Sequence, residues 1–220
     1  MTRIRVSLII LVVLLFSAPW ALAKNLFFIN LAAPEISPAP RVDAPGFFIR
    51  SVEDARSFGD QASGVETPSW GVDDPSLQTE GDKHKAVGRA FVTRKKSEGN
   101  VLIFRGDVET LMREIVTNAL AGLGYPVVED REALGPEVIL VDIEVRNFWG
   151  YFEASFVGGN ITADIETLIT MTKTDKVEKR TIQVSASKSL RYPNKAVNWE
   201  IVFNMALKDY AQAVMTQMKQ

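Results

Sequence analysis

Four carboxylates occupy alternating positions in two neighbouring apolar segments, and their spacing is the clearest sign of possible chemistry. Asp142 and Glu144 alternate with aliphatic residues in one segment, and Asp164 and Glu166 do so in the next. Because alternate residues of a strand point to one face, we expect the four side chains on one polar face of a sheet. Paired carboxylates act as acid and base in glycosidases and as ligands of hard cations. The wet face of an antiparallel sheet also needs polar residues, and we favour this structural interpretation.

The single histidine, His84, lies between two lysines in a polar segment. A catalytic histidine needs an acid that orients it and a nucleophile beside it, and the neighbouring sequence supplies neither. The chain contains no cysteine, which excludes a thiol nucleophile and a cysteine-ligated metal site. We therefore predict no enzymatic activity, no catalytic or metal-binding residue and no cofactor.

Aromatic residues are concentrated between the two carboxylate-bearing segments, where we expect a hairpin turn. The stretch reads RNFWGYFEASFVGGN over residues 146–160. Exposed aromatics at a hairpin tip favour contact with a partner, whereas packing over the end of the sheet is the structural alternative. Trp and Tyr also suit a membrane interface. Our candidate partner-binding residues are Trp149, Tyr151 and Phe152, together with Trp70 in a Gly- and Pro-rich loop.

The beginning of the chain has the order of features found in a secretory signal peptide. A positive start and an apolar run precede small residues at the expected cleavage site: Arg3, Arg5, residues 6–16, Ala21, Ala23 and Lys24. We predict cleavage after Ala23 and export to the periplasm. The alternative is an uncleaved signal anchor that tethers the protein to the inner membrane. Since a lipid-modified cysteine is missing, we expect no lipid anchor.

Composition and charge narrow the class of protein. The chain has 25 basic and 27 acidic residues and a net charge of −2, so it lacks the positive balance typical of nucleic-acid binding. Its length of 220 residues suits one domain after an exported leader. We predict a signal peptide at 1–23, a Pro-rich extended segment at 24–45 and a single α+β domain at 46–220. A long loop is expected within that domain, at 57–85.

The hydrophobic periodicity predicts the elements of this domain. Strands are expected at 46–52, and at 86–95 and 100–104 as a hairpin. A helix with one broad apolar stripe should begin after Asp107 and end at Gly124. Three alternating segments then predict an antiparallel β-meander, and a second amphipathic helix follows from about Lys195 to Met218. Both helices can cover the apolar face of the sheet, which gives a two-layer α+β sandwich.

The order of these features resembles the YajG-type bacterial envelope lipoproteins over about residues 47–218. The motifs are Val52-Glu-Asp-Ala-Arg56, Leu-Gly-Tyr125, Val138-Ile-Leu-Val-Asp-Ile-Glu-Val145 and Gly-Asn-Ile-Thr-Ala163. The resemblance implies a non-enzymatic envelope protein, and we expect its partner to be another envelope protein. Family members carry a cysteine at the cleavage site, where this chain has Lys24. A more distant similarity to auxiliary lipoproteins of envelope ABC transport systems implies an alternative, a lipid-binding component held between sheet and helices.

Overall fold

The computed structural model describes residues 27–39, 44–59, 68, 84–90, 100–129, 138–155, 158–174, 176–190 and 195–219. These residues form seven strands and two helices. The strands are β1 (Phe27–Ile29), β2 (Phe47–Asp54), β3 (Ala86–Ala90), β4 (Asn100–Phe104), β5 (Ile139–Ser155), β6 (Gly158–Lys173) and β7 (Lys176–Leu190). The helices are α1 (Val108–Gly122) and α2 (Ala196–Met218).

The strands form one mixed sheet in which the expected meander is the central part. β5, β6 and β7 pair antiparallel in sequence order, and β3 and β4 form the expected antiparallel pair. The other edge of β5 is shared by two parallel neighbours, β2 along its first half and β3 near Gly150. β1 adds to β4, also in parallel. The α+β class is confirmed, while the sheet as a whole is mixed rather than purely antiparallel.

Both helices pack against the same face of the sheet, as the two apolar stripes predict. The Asp107 carboxylate accepts a hydrogen bond of 2.8 Å from the Thr110 amide and so caps α1, and Gly124 follows the helix with φ of 82°. α2 begins at Ala196, and its N-terminal cap position is taken by Lys195, whose side chain makes no capping bond. The predicted stripe of α2 is buried: Trp199, Phe203, Ala206, Tyr210, Val214 and Met218.

A β-bulge at Arg146 changes which residues of β5 face the helices. Before the bulge the buried positions are odd-numbered, from Ile139 to Val145; after it, Phe148 and Phe152 face the helices instead. Trp149 therefore points to the opposite face, where it forms a second, smaller apolar cluster with Ala86, Val101 and Ile103. This switch places Trp149 and Tyr151 on the sheet face that the helices leave uncovered.

The described part of the Pro-rich segment packs on the domain. Phe27 to Ile29 pair with β4, and the Ala39 amide donates to the Ala121 carbonyl at 3.2 Å. The side chain of Ile36 lies close to Gly122 of α1. The predicted signal peptide and most of the predicted loop at 57–85 lie outside the described residues, and the proposed domain boundaries stay predictions.

Candidate functional site

The four carboxylates that alternation places on one face do not form a single site. The Asp142 carboxylate is held by Arg50, whose Nε donates to Oδ1 at 2.9 Å, and by the Ser51 hydroxyl at 2.7 Å. The hydrogen bond from Arg50 lowers the pKa of Asp142 against the opposing effect of burial. Glu144 accepts a bond of 2.9 Å from Arg146 on the same strand. Each of these two acids is thus neutralised by a neighbouring arginine.

Of the other two carboxylates, Glu166 lies two residues along β6 from the partner of Glu144, and Asp164 lies further along the sheet. Thr170 is the β6 partner of Asp142, whereas Asp164 pairs with Trp149, six residues along that strand. At about 3.3 Å per residue, Asp142 and Asp164 are separated by about 20 Å along the strand. Among the described residues no group of three or more His, Asp or Glu side chains is arranged to hold a metal ion. The face therefore fits the favoured interpretation as a solvated sheet surface.

The three candidate aromatics of this stretch lie inside β5 rather than at the tip of the hairpin, and the expected exposure is wrong for Trp149 and Phe152. β5 continues to Ser155, beyond all three of the candidate aromatics. Trp149 is 0% and Phe152 7% exposed, since the bulge sends them to the two opposite apolar clusters. Tyr151 is half-buried. Trp70 lies outside the described residues.

Tyr151 is the candidate aromatic that remains partly accessible on the uncovered face. In the sheet it lies between Arg89 of β3 and Thr162 of β6. Burial raises the pKa of the Tyr151 phenol, and the negative charges of Asp164 and Glu153, with a hydrogen bond to Asp164, raise it further. Tyr151 is therefore a neutral hydrogen-bond donor at physiological pH.

A cluster that the sequence did not suggest lies where β2 ends, beside that same face. The guanidinium of Arg56 bonds both oxygens of Asp54, with Nε to Oδ1 at 2.7 Å and Nη2 to Oδ2 at 2.6 Å. The Nδ1 atom of His84 lies 2.8 Å from the same Asp54 Oδ2. The Cζ atom of Arg56 lies over the Phe58 ring, 5.1 Å from the ring centre. The Phe58 ring also contacts the Trp149 ring edge-on.

Arg56 occupies a gap along the edge of β5 that β2 and β3 share. β2 pairs with β5 as far as Val145 and β3 pairs with it at Gly150, so the edge of β5 is interrupted between them. Arg56 donates across this gap to the carbonyls of Phe148 at 3.1 Å and Ala86 at 2.8 Å. It also donates to the His84 carbonyl at 2.6 Å. Its side chain thereby supplies hydrogen bonds that a continuous strand would make.

The Asp54 and His84 pair resembles two members of a catalytic triad, but the surrounding groups favour a structural role. Asp54 is occupied by Arg56 on both oxygens, and in the described part of the chain no hydroxyl is hydrogen-bonded to His84. A triad also requires a nucleophile against the second ring nitrogen. The absence of a catalytic role for His84 stays a prediction.

A cleft of about 300 Å³ opens between β2 and α1. Its walls are mainly apolar, and Arg113 and Glu129 are the charged residues that line it. The complete lining is Phe48, Ile49, Arg113, Thr117, Val127, Val128 and Glu129. None of the described candidate aromatics and none of the four carboxylates lines this cleft, so no motif in the sequence pointed to it.

The outer edge of β7 is the longest exposed strand edge in the described structure. β7 has 15 residues and pairs with β6 from Lys176 to Leu190. None of the other described strands pairs with its opposite edge. Within the described residues, the backbone groups along that edge have no strand partner, which is the condition for pairing with an additional strand.

Neither of the two described helices has the length and apolar character that a membrane-spanning helix requires.

Comparison with known proteins shows similarity in structure but not in sequence. No family model matches the chain, and none of the curated proteins matches it. A crystal structure of a Xanthomonas campestris protein of the family DUF330 is 11% identical and has a TM-score of 0.50, covering 88% of this chain and 94% of that one. A minor lipoprotein from Acinetobacter baumannii is 14% identical with a TM-score of 0.36, covering 49% and 80%. At these identities the first similarity shows a shared fold, and the second carries no further weight.

Proposed function

We propose that this protein is a non-enzymatic accessory protein of the bacterial cell envelope, similar in kind to the YajG-type lipoproteins, and that it binds another envelope protein along the outer edge of β7. The leader-like residues 1–23 support a place in the periplasm. The fold shared with the Xanthomonas protein is compatible with this proposal. The observation that carries the binding role is the exposed edge of β7.

The form of β7 suits the addition of a partner strand. Natural edge strands are usually protected by shortness, by proline, by bulges or by charged side chains such as lysine, and of these devices β7 has only the charges. β7 is 15 residues long, contains no proline and keeps an unbroken register with β6. Such an edge offers regularly spaced backbone groups, and an extended segment of a partner can pair with them.

Charge determines which strand would be accepted. β7 carries Lys176, Lys179, Arg180 and Lys188 against Glu178, so its net charge is 4 − 1 = +3, whereas that of the whole chain is −2. Pairing of β7 with a second copy of itself would bring like charges together. An extended segment rich in Asp and Glu would instead be attracted, so we propose a partner segment of this kind.

The aromatic residues take different parts in this proposal. Trp149 and Phe152 stabilise the long strand β5, on which β6 and β7 are built. Tyr151 lies on the same face as Thr162 of β6 and Ser187 of β7, because directly paired residues point to one face. It is the candidate aromatic that we propose as an additional partner contact, two strands in from the edge.

A second candidate function is ligand binding by an auxiliary component of an envelope ABC transport system. The cleft between β2 and α1 favours it, because the cleft has apolar walls and a volume at the lower limit of the roughly 300–1,000 Å³ typical of ligand sites. The two functions use different parts of the fold and are compatible with each other.

Photo-crosslinking in intact cells tests the proposed partner surface. A photo-reactive amino acid replaces Gln183, an exposed residue of β7, or Gln212, an exposed control on α2. We expect a defined crosslinked protein from position 183 and none from position 212. Mass spectrometry of the crosslinked peptide should identify an acidic segment. Equal crosslinking from both positions, or none from position 183, would refute the proposal.

A further inference from the structure

The cleft between β2 and α1 lies along a strand edge that no other described strand fully covers. Phe47 at the start of β2 pairs with Val127. After Phe47, the outer edge of β2 faces side chains of α1. Arg113 donates to the Ile49 carbonyl at 2.7 Å, and Glu109, one turn earlier, accepts from the Asp54 amide at 2.9 Å. The helix is thus fixed to the strand by hydrogen bonds, and Thr117 lines the space between them.

The lining of this cleft combines an apolar wall with a positioned cation. Phe48, Val127 and Val128 are half-buried, so they present apolar surface to the space. Arg113 is exposed, and its bond to Ile49 uses one of the five N–H donors that a guanidinium carries. That bond anchors the side chain, and the remaining donors have the fork geometry that suits a carboxylate or phosphate.

We propose that this cleft binds an anionic amphiphile, with a single short alkyl chain against the apolar wall and a carboxylate or phosphate group on Arg113. The volume of about 300 Å³ admits one short chain rather than a complete two-chain lipid. The inference deepens the second candidate function and does not depend on the edge of β7.

Glu129 gives the cleft a second charge that opposes the ligand. It lines the same space as Arg113 and is exposed. A negative side chain here repels an anionic head group, so Glu129 limits the affinity of the site. Replacing it by the neutral isostere in Glu129→Gln should therefore tighten binding severalfold, which is a result that a purely structural role of the residue would not give.

Calorimetric titration of the purified full-length chain provides the test. The probes are decanoate, decyl phosphate and the neutral decanol, each below its critical micelle concentration. The variants are Arg113→Gln, Glu129→Gln and Thr117→Phe, the last of which fills the cleft. Arg146→Gln is the matched control, because Arg146 is an exposed arginine that pairs with Glu144 within β5 and does not line the cleft. Circular dichroism verifies that each variant is folded.

We expect the wild type and Arg146→Gln to bind at least one anionic probe equally, and decanol more weakly. Arg113→Gln should lose about tenfold or more, since it removes a charged hydrogen bond, and Thr117→Phe should abolish binding. Preference for decanoate would assign a fatty carboxylate, and preference for decyl phosphate a phosphate head group.

Absence of binding, equal binding of decanol, or unchanged affinity in both Arg113→Gln and Thr117→Phe would overturn the proposal. Should Arg113→Gln fail to fold, Thr117→Phe and Glu129→Gln decide it. Crosslinking at β7 should be unaffected by Thr117→Phe, which separates this result from the test of the partner surface.

Discussion

The Arg56 guanidinium forms a bidentate ion pair with the Asp54 carboxylate, with its Nε and Nη2 atoms 2.7 and 2.6 Å from the two oxygens. The two side chains are 0% and 4% exposed. Arg56 also bonds the carbonyls of Ala86 and Phe148, which belong to two other strands. This one side chain therefore connects the end of β2 with β3 and β5, so the pair stabilises the junction of three strands.

Arg56→Lys should destabilise the fold strongly. A lysine keeps the charge but cannot form two parallel bonds to Asp54 while also reaching the strand carbonyls. Leaving buried groups unpaired in such a cluster costs about 3–5 kcal/mol. Urea unfolding followed by circular dichroism measures this loss. The control is Arg146→Lys, whose exposed ion pair with Glu144 should contribute at most about 1 kcal/mol. Equal losses in the two variants would show that Arg56 has no special role.

The Asp54 carboxylate should make stability depend on acid pH. Burial alone would raise the pKa of Asp54, but the hydrogen bonds and charge of Arg56, with a bond to His84, outweigh burial and lower it. A lowered pKa in the folded state means that the ionised group favours folding. Its contribution is complete above the unfolded pKa of about 4 and is lost as the pH falls through the folded value.

Unfolding free energies of the wild type and Asp54→Asn, measured from neutral pH down to about pH 3, test this dependence. The difference between them should be constant above about pH 5 and should shrink as the pH falls below about 4. A difference that grows on acidification would contradict the assigned role of Asp54.

Much of the fold follows from local signals in the sequence, and the reason is visible in particular residues. Asp107 and Gly124 mark the ends of α1 because each solves a local problem of the helix terminus. Apolar and polar residues alternate along β6 and β7 with no bulge between the two strands, so the sequence predicts which residues face the helices. β5 contains a bulge at Arg146, and alternation on either side of a bulge cannot reveal that the register has changed. The predicted exposure of Trp149 failed for this reason.

Trp149→Ala should therefore lower stability rather than only partner binding. Its side chain is 0% exposed and packs with Ala86, Val101 and Ile103. Removing a buried Trp side chain costs about 3–5 kcal/mol. Tyr151→Phe is the comparison, because it keeps the half-buried ring and removes the hydroxyl that bonds Asp164. Thermal unfolding should separate the two variants, and a Trp149→Ala protein as stable as the wild type would contradict the observed packing.

The bond between Tyr210 and Thr167 should show coupling between α2 and the sheet. The two hydroxyl oxygens are 2.7 Å apart in the core, and burial raises the pKa of the Tyr210 phenol, which stays protonated. Tyr210→Phe leaves the Thr167 hydroxyl without this partner and should cost about 1–3 kcal/mol.

The double variant Tyr210→Phe with Thr167→Val completes the measurement. Replacing both polar partners removes the unsatisfied group, so the double variant should be more stable than the sum of the two single losses predicts. Strict additivity of the unfolding free energies would indicate that the two hydroxyls do not stabilise each other.

The proposed sites were less accessible to sequence reasoning because they depend on distant parts of the chain. Asp54 and Arg56 were visible only as part of a short motif, and nothing in the sequence connects them with His84, 30 residues later. The cleft requires β2, α1 and the segment at Val127 to be brought together. The positive charge of β7 could be counted from the sequence, but the position of β7 at the edge of the sheet follows only from the strand order.

The partner surface on β7 is the central claim, and charge reversal combined with crosslinking tests it most directly. Lys179→Glu with Lys188→Glu reverses two exposed charges of β7, and Lys208→Glu on α2 is the matched control. Crosslinking from position 183 in intact cells is quantified in each background at equal protein level. We predict a loss of most of the crosslinked product in the β7 variant and no change in the control. An undiminished crosslink in the β7 variant, or an equal loss in both, would contradict the binding of an acidic strand at this edge.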